Sequence, residues 1–142
     1  MGAAWCPWCR NAVPVMLKAA EDKGLSTIYY LDLSEERDVY QYEDNKLIRS
    51  AKGTEAYFKL LELLDGYLEP YIIYDKAGRA HHMQEKRIQI PFLLAVRDGN
   101  VVAANLGTYE LEEKQSKYDG LTERQYVGLY RLFCRMYDSL QS

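Results

Sequence analysis

Two cysteines near the start of the chain are the residues best suited to chemistry. Cys6 and Cys9 stand three positions apart in the stretch Trp5-Cys6-Pro7-Trp8-Cys9. At the first turn of a helix both sulfurs can therefore face one side and close a small disulfide ring. A thiolate beside a second thiol is the reactive part of a thiol–disulfide exchanger. The spacing predicts a redox-active dithiol.

A helix must position these two thiols. Apolar residues recur at helical spacing through residues 11–23, and Pro7 falls at the first helical position, where its missing N–H costs nothing. Cys6 then precedes the unpaired N–H groups and the positive end of the helix dipole, which both favour a thiolate. We expect Cys6 to be exposed and to act as the nucleophile. Cys9, one turn inside, is expected to be the resolving thiol.

A proline within the predicted helix, Pro14, must kink it. It completes the pattern W-C-x-x-C-x-x-x-x-P, which resembles the active-site helix of the thioredoxin superfamily, and the middle pair Pro7-Trp8 is similar to the Pro-aromatic pair of glutaredoxins. The resemblance implies an α/β fold with a thioredoxin-like mixed sheet and flanking helices, in a single domain over residues 1–142. It also implies a thiol–disulfide oxidoreductase that acts on protein or peptide disulfides, with no cofactor expected.

A second motif lies in residues 91–107. The apolar run 92–96, the turn 98–100 and the returning run 101–104 predict a β-hairpin. In thioredoxin-fold proteins the X-Pro bond before this hairpin is cis and faces the cysteines, so the resemblance implies a cis Ile90-Pro91 bond. By itself, such a proline could equally start a strand in the trans form.

The resemblance also implies which residues contact a substrate. The two tryptophans would give an extended substrate an apolar surface, and the backbone held by the cis proline would pair with a peptide strand. The expected substrate-binding residues are Trp5, Pro7, Trp8, Ile90 and Pro91.

Residues 33–90 separate the two motifs and are predicted to form a long helical insert. Within it we predict a helix over residues 55–65, helix or loop over 38–50, a strand over 71–74, and a polar connection over 81–87. The insert, W-C-P-W-C and the sequence E-K-R-I-x-x-P before the hairpin together resemble the thioredoxin-like bacteriocin transport accessory proteins of bacteria.

The expected sheet has a gap. Residues 26–33 are β-branched and aromatic and predict a strand, but in the thioredoxin fold a central strand runs directly into the W-C-x-x-C helix, and residues 1–4 are too short to form it. We therefore expect a truncated or mis-started form of a longer protein. Residues 71–74, or a strand exchanged with a second copy in a homodimer, would fill the gap. Otherwise residues 26–32 and 92–96 would each expose an apolar edge.

The composition limits which binding partners and which cellular compartment are expected. With 18 basic and 21 acidic residues the net charge is −3, and without a basic stripe nucleic acid is not an expected partner. No apolar run is long enough to span a membrane, and no signal peptide precedes the cysteines. We expect a cytoplasmic protein as given, or an extracytoplasmic one if an upstream signal or anchor has been lost.

Two other functions compete with the redox hypothesis. One C-x-x-C supplies half of a zinc site, and His81 and His82 could supply the rest, but neighbouring residues on a strand point to opposite faces; no metal is expected. A redox-inert binding module for a transport or secretion partner is the alternative function. A third cysteine, Cys134, lies in a terminal helix predicted over residues 122–140, either as a small buried residue or as a further redox thiol.

Overall fold

The computed structural model describes residues 1–141, which form a mixed α/β structure with three α-helices and three two-stranded antiparallel sheets. Two compact units are present: the first combines Met1–Asp32 with the chain from Gln89 onwards, and the second is Leu33–Ile88. The elements in chain order are α1 (Pro7–Asp22), β1 (Val39–Glu43), β2 (Lys46–Ala51), α2 (Glu55–Leu64), a 3₁₀ turn (Asp65–Tyr67), β3 (Pro70–Tyr74), β4 (Ala80–Lys86), β5 (Phe92–Arg97), β6 (Asn100–Leu106) and α3 (Glu123–Gln141).

Helix α1 confirms the prediction made around the cysteines. Cys6 is its N-cap, Pro7 is its first residue, and Pro14 lies inside it. The helix ends where Gly24 takes a positive φ of 72°, a conformation that glycine adopts without steric cost.

Helix α3 is the other long helix of the first unit and begins at a reciprocal cap. The Thr122 N–H donates to Gln125 Oε1 at 2.9 Å, and the Gln125 N–H donates to Thr122 Oγ1 at 3.3 Å, which satisfies two free N–H groups of the first turn. The helix packs against α1 around Phe133, which is fully buried. The same core takes in Leu93 of β5.

The predicted hairpin is confirmed as β5 and β6. Its turn, Asp98-Gly99, has positive φ at both positions, 51° and 78°. Two-residue turns of this kind match the twist of antiparallel strands, which fixes the register. Strand β5 begins directly after Pro91.

Residues 26–33 do not form the predicted strand. Within residues 1–141 their only ladder contact is an isolated parallel bridge between Gly2 and Asp32, because none of the described strands runs alongside them. Residues 71–74 do not fill the gap either, since they belong to β3, which pairs with β4. The strand predicted over residues 71–74 is confirmed, and only its expected place in the gap was wrong, because β3 takes β4 as its partner.

The second unit is built mainly from hairpins, so the prediction of a helical insert was wrong. Residues 38–50, predicted as helix or loop, form the β1–β2 hairpin around Asp44-Asn45, whose φ angles are 49° and 60°. Residues 81–87, predicted as a connection, belong largely to β4. Only α2 is helical as predicted, capped by Thr54 Oγ1, which accepts from the Tyr57 N–H at 3.1 Å.

Candidate redox site

Cys6 lies at the start of α1, and its sulfur accepts a hydrogen bond. The Cys9 N–H donates to Cys6 Sγ at 3.3 Å, as expected of a side chain at a helix N-cap. The Cys6 thiol in turn donates to the carbonyl oxygen of Ile90 at 3.7 Å. Cys6 is only 2% exposed, so the expectation of an exposed nucleophile was wrong. The physical reason is that the chain before Pro91 covers the sulfur, a contact between residues 84 positions apart.

Cys9 lies one turn inside the helix and is also buried, at 6% exposure. Desolvation raises the pKa of its thiol to about 12, and the neighbouring Cys6 side chain adds to the increase, because burial disfavours the charged form. Both cysteines are free thiols. Both sulfurs are thus shielded from solvent, and Cys9 holds its proton firmly.

The segment before β5 faces this pair. The Ile90-Pro91 peptide bond is cis, which confirms the expectation drawn from the family resemblance. The Ile90 carbonyl is the acceptor for Cys6, and the Pro91 carbonyl accepts from the Gly107 N–H at 3.1 Å. Ile90, one of the predicted substrate-binding residues, therefore contacts Cys6 directly.

The two tryptophans differ in their surroundings. Trp5 is 55% exposed beside Cys6. Trp8 is half-buried and meets the ring of Tyr109 edge-on, with centroids 5.0 Å apart. The Tyr109 hydroxyl is held by Asn11 Nδ2 at 2.6 Å, and the same amide donates to the Asp119 carbonyl at 2.8 Å. The loop before α3 is thus fastened to the cysteine helix beside Trp8.

Sequence reasoning missed three residues at this site: Gly2, Tyr30 and Tyr109. A Cβ atom on Gly2 would lie 3.2 Å from Cys9 Sγ and 3.3 Å from the Tyr30 ring, so both groups pack closely over the glycine. Burial, and then the negative charge of Asp32, raises the pKa of Tyr30. None of the three has a local sequence signal, because Gly2 and Tyr30 pack together beside Cys9, and Tyr109 meets Trp8, through tertiary contacts.

His81, one of the two histidines considered for zinc, has other contacts. His81 Nε2 lies 3.1 Å from the Asp75 carboxylate, and its ring stacks on Tyr42 at 3.6 Å, all within the second unit. In the part of the chain that the structure describes, no group of three or more His, Cys, Asp or Glu side chains could hold a metal ion. Nor does any helix of residues 1–141 have the length and apolar character needed to cross a membrane.

Comparison of this chain with protein-family models, with curated proteins and with solved structures found no match in any of the three. The functional interpretation therefore depends on the chemistry of the site itself.

Proposed function

We propose that this protein is a thiol–disulfide oxidoreductase of the thioredoxin type, acting on protein or peptide disulfides through Cys6 and Cys9. The observation that supports it most is the paired thiols at the start of α1, with a main-chain N–H 3.3 Å from Cys6 Sγ. A donor at that distance stabilises sulfur that carries negative charge, as attacking and leaving thiolates do. The cis Ile90-Pro91 segment beside the pair adds to this support.

The reaction follows from the order of the two thiols. Cys6, as a thiolate, attacks one sulfur of the substrate disulfide; a Cys6–substrate S–S bond forms, the substrate S–S bond breaks, and the departing sulfur takes up a proton. Cys9 then loses its proton and attacks Cys6 Sγ, which releases the second substrate thiol. The substrate gains two electrons and two protons, and Cys6–Cys9 becomes the disulfide. The reverse sequence oxidises a dithiol.

The mixed disulfide is also what would allow Cys9 to react. The Cys6 side chain contributes to the raised pKa of Cys9 by hydrogen bonding and by charge. When Cys6 is in a mixed disulfide it no longer carries a charge or a thiol proton, so both contributions fall away. Cys9 then loses its proton more readily at the step that needs its thiolate.

Trapping with serine variants tests this assignment of roles. Cys9→Ser should accumulate mixed disulfides with client proteins, because the resolving step is removed, whereas Cys6→Ser should accumulate none. Equal trapping by the two variants would contradict the assignment. Clients that are secreted peptides or their transporter would support the resemblance to bacteriocin transport accessory proteins.

One observation favours the redox-inert binding module instead: both sulfurs are buried, at 2% and 6% exposure. A redox titration followed by insulin reduction separates the two functions. The oxidoreductase requires a reversible two-electron couple that disappears in Cys6→Ser. A protein with no such couple, or with equal insulin reduction by wild type and Cys6→Ser, would be a binding module.

A further inference from the structure

A groove of about 690 Å³ lies in the second unit, and all the residues that line it belong to that unit. Its walls come from the β1–β2 hairpin, from α2 with the 3₁₀ turn after it, and from β4. Three half-buried side chains give it an apolar part: Tyr40, Phe58 and Leu61. Sites for small ligands typically enclose roughly 300–1,000 Å³ and combine apolar walls with a few polar groups. The groove has the size and lining of such a site.

The charged residues of the groove are mostly acidic. Four carboxylates line it, against the two cationic side chains of Arg49 and Lys86. Lys86 is already engaged, because its Nζ lies 3.1 Å from the Asp65 carboxylate. Glu62 on α2 and Glu85 on β4 have no ion pair or side-chain hydrogen bond within residues 1–141, and neither has Arg49. Two unpaired negative charges therefore stand against one unpaired positive charge.

The fourth carboxylate, Asp38, is buried and incompletely satisfied. Its side chain is 9% exposed, and its Oδ1 accepts no hydrogen bond within residues 1–141. Arg87 Nε lies 3.7 Å from Oδ1, beyond the ~3.2 Å reach of an N–H···O bond. The guanidinium is held elsewhere, since it donates to the Asp38 carbonyl at 2.6 Å and lies 4.6 Å over the Tyr71 ring. A buried oxygen without a donor costs free energy, and a ligand in the groove could supply one.

We propose that the groove between Asp38, Tyr40, Phe58, Leu61, Glu62 and Glu85, here called the acidic groove, binds an amphipathic organic cation, an ammonium group on an apolar body. The apolar body would pack against Phe58 and Leu61, and the ring of Tyr40 attracts a cation placed over its face. The ammonium group would donate charge-assisted hydrogen bonds to the carboxylates. This binding function is separate from the proposed redox reaction.

Other classes of ligand suit the acidic groove less well. Within the described chain no three of its carboxylates form a group that could hold a metal ion. An anion would be repelled by Glu62 and Glu85. A neutral apolar molecule would leave the Asp38 oxygen without a donor. An organic cation satisfies both the charge and the unpaired acceptor.

Titration of the full chain with phenethylamine, which is protonated at neutral pH, tests the acidic groove. Phenethyl alcohol is the matched control, because a hydroxyl replaces the ammonium group and the apolar body is unchanged. Calorimetry should show the amine binding about tenfold more tightly than the alcohol, with an advantage that shrinks as salt is added. The amine should also shift the backbone amide signals of Tyr40 and Leu61. Neither probe contains sulfur, so the result does not depend on the redox proposal.

Glutamine variants test which charges hold the ammonium group. Glu62→Gln and Glu85→Gln should each weaken binding of the amine about two- to fivefold, as expected of partly exposed ion pairs, and leave binding of the alcohol unchanged. Glu43→Gln is the matched control, because Glu43 is an exposed acid of the same unit that does not line the groove. A variant that also loses the alcohol has a damaged groove, and the other glutamine variant then decides.

A lysine peptide distinguishes two sources of the same chemistry. The probe is an acetylated, amidated tripeptide with lysine between two phenylalanines. If it binds more tightly than phenethylamine and is weakened equally by Glu85→Gln, the natural ligand is a lysine side chain of a polypeptide. If it binds more weakly, the natural ligand is a free amine.

Three results would overturn the proposal. Equal binding of the amine and the alcohol, or saturable binding of neither, would mean that the groove does not recognise an organic cation. A loss of affinity in Glu43→Gln as large as in Glu62→Gln and Glu85→Gln would indicate general attraction to a chain of net charge −3. Amide shifts that miss Tyr40 and Leu61 would place the amine elsewhere.

Discussion

Adding one methyl group at Gly107 tests whether the hairpin and the cis-proline segment pack as tightly as the structure shows. A Cβ atom there would lie 3.0 Å from Leu93 Cδ1, 3.2 Å from Pro91 Cγ and 3.5 Å from Phe133 Cζ. The leucine can move, but the proline ring cannot. Overpacking of this kind costs ~1–3 kcal/mol, and the lower chain entropy of alanine in the unfolded state returns ~0.4–1 kcal/mol. The two ranges leave a net loss of about 0–2.6 kcal/mol, so Gly107→Ala should lower the free energy of unfolding by roughly 1.3 kcal/mol, the middle of that range.

Gly128→Ala is the matched control. Gly128 lies in α3 with no atom within 4 Å of an added Cβ, so alanine should stabilise that helix by ~0.5–1 kcal/mol. Urea unfolding followed by tryptophan fluorescence measures both variants, because the two tryptophans, Trp5 and Trp8, lie in the first unit. A Gly107→Ala protein as stable as wild type would refute the close packing of Gly107 on Pro91.

Three further predictions concern individual side chains. In Cys6→Ala the pKa of Cys9 should fall below its wild-type value of about 12 yet stay above that of an ordinary thiol, because desolvation remains. Thiolate absorbance measures this pKa in a protein that also lacks Cys134, so that Cys9 is its one thiol. Hydrogen bonds from the following turn, and then from His81, lower the pKa of Asp75. The ionised Asp75 side chain therefore stabilises the β3–β4 hairpin above its unfolded pKa of about 4, and this stabilisation is lost as the pH falls. Asp75→Asn should remove the acid dependence from the hydrogen exchange of the turn amides. Arg87→Met should destabilise the second unit by about 3–5 kcal/mol, because it leaves the buried carboxylate of Asp38 without its cation. The double variant Arg87→Met/Asp38→Asn should regain part of that stability, as measured by thermal unfolding followed by circular dichroism.

Elements that carry their own start and stop signals were predictable from the sequence. Helix α1 has Pro7 at its first position and Gly24 just beyond its end, and α3 has the Thr122–Gln125 cap. The β5–β6 hairpin has apolar runs around Asp98-Gly99. In each case residues within a few positions of one another determine the structure.

The β1–β2 hairpin had a local signal that was overlooked. Asp44 and Asn45 are residue types that tolerate positive φ, and they separate two stretches that pair in register as Glu43 with Lys46 and Tyr42 with Leu47. A two-residue turn between alternating stretches indicates a hairpin. The weak helical periodicity of residues 38–50 hid it.

Residues 26–33 show the opposite case, in which a strong local signal was not enough. Their composition favours a strand, but a strand needs a partner along its length, and in the described part of the chain only Gly2 provides one. The burial of Cys6 was unpredictable for a related reason, because its cover comes from Ile90, far away in the sequence. Local pattern indicates what a segment can form, and distant contacts decide whether it forms.

If the pair exchanges disulfides as proposed, the raised pKa of Cys9 bears on the order in which the two thiols would react. Cys9 keeps its proton at neutral pH because desolvation raises the pKa of its thiol to about 12, although a main-chain hydrogen bond from Ala3 lowers that pKa in part. Cys6 Sγ accepts a hydrogen bond from the Cys9 N–H. A first attack by Cys9 would have to remove its proton while Cys6 still opposes ionisation. An attack by Cys6 avoids that cost and, by forming a mixed disulfide, removes the two effects of Cys6 that hold the Cys9 proton. Under the proposed function, the exchange would therefore be sequential, with Cys9 activated by the step that precedes its own attack.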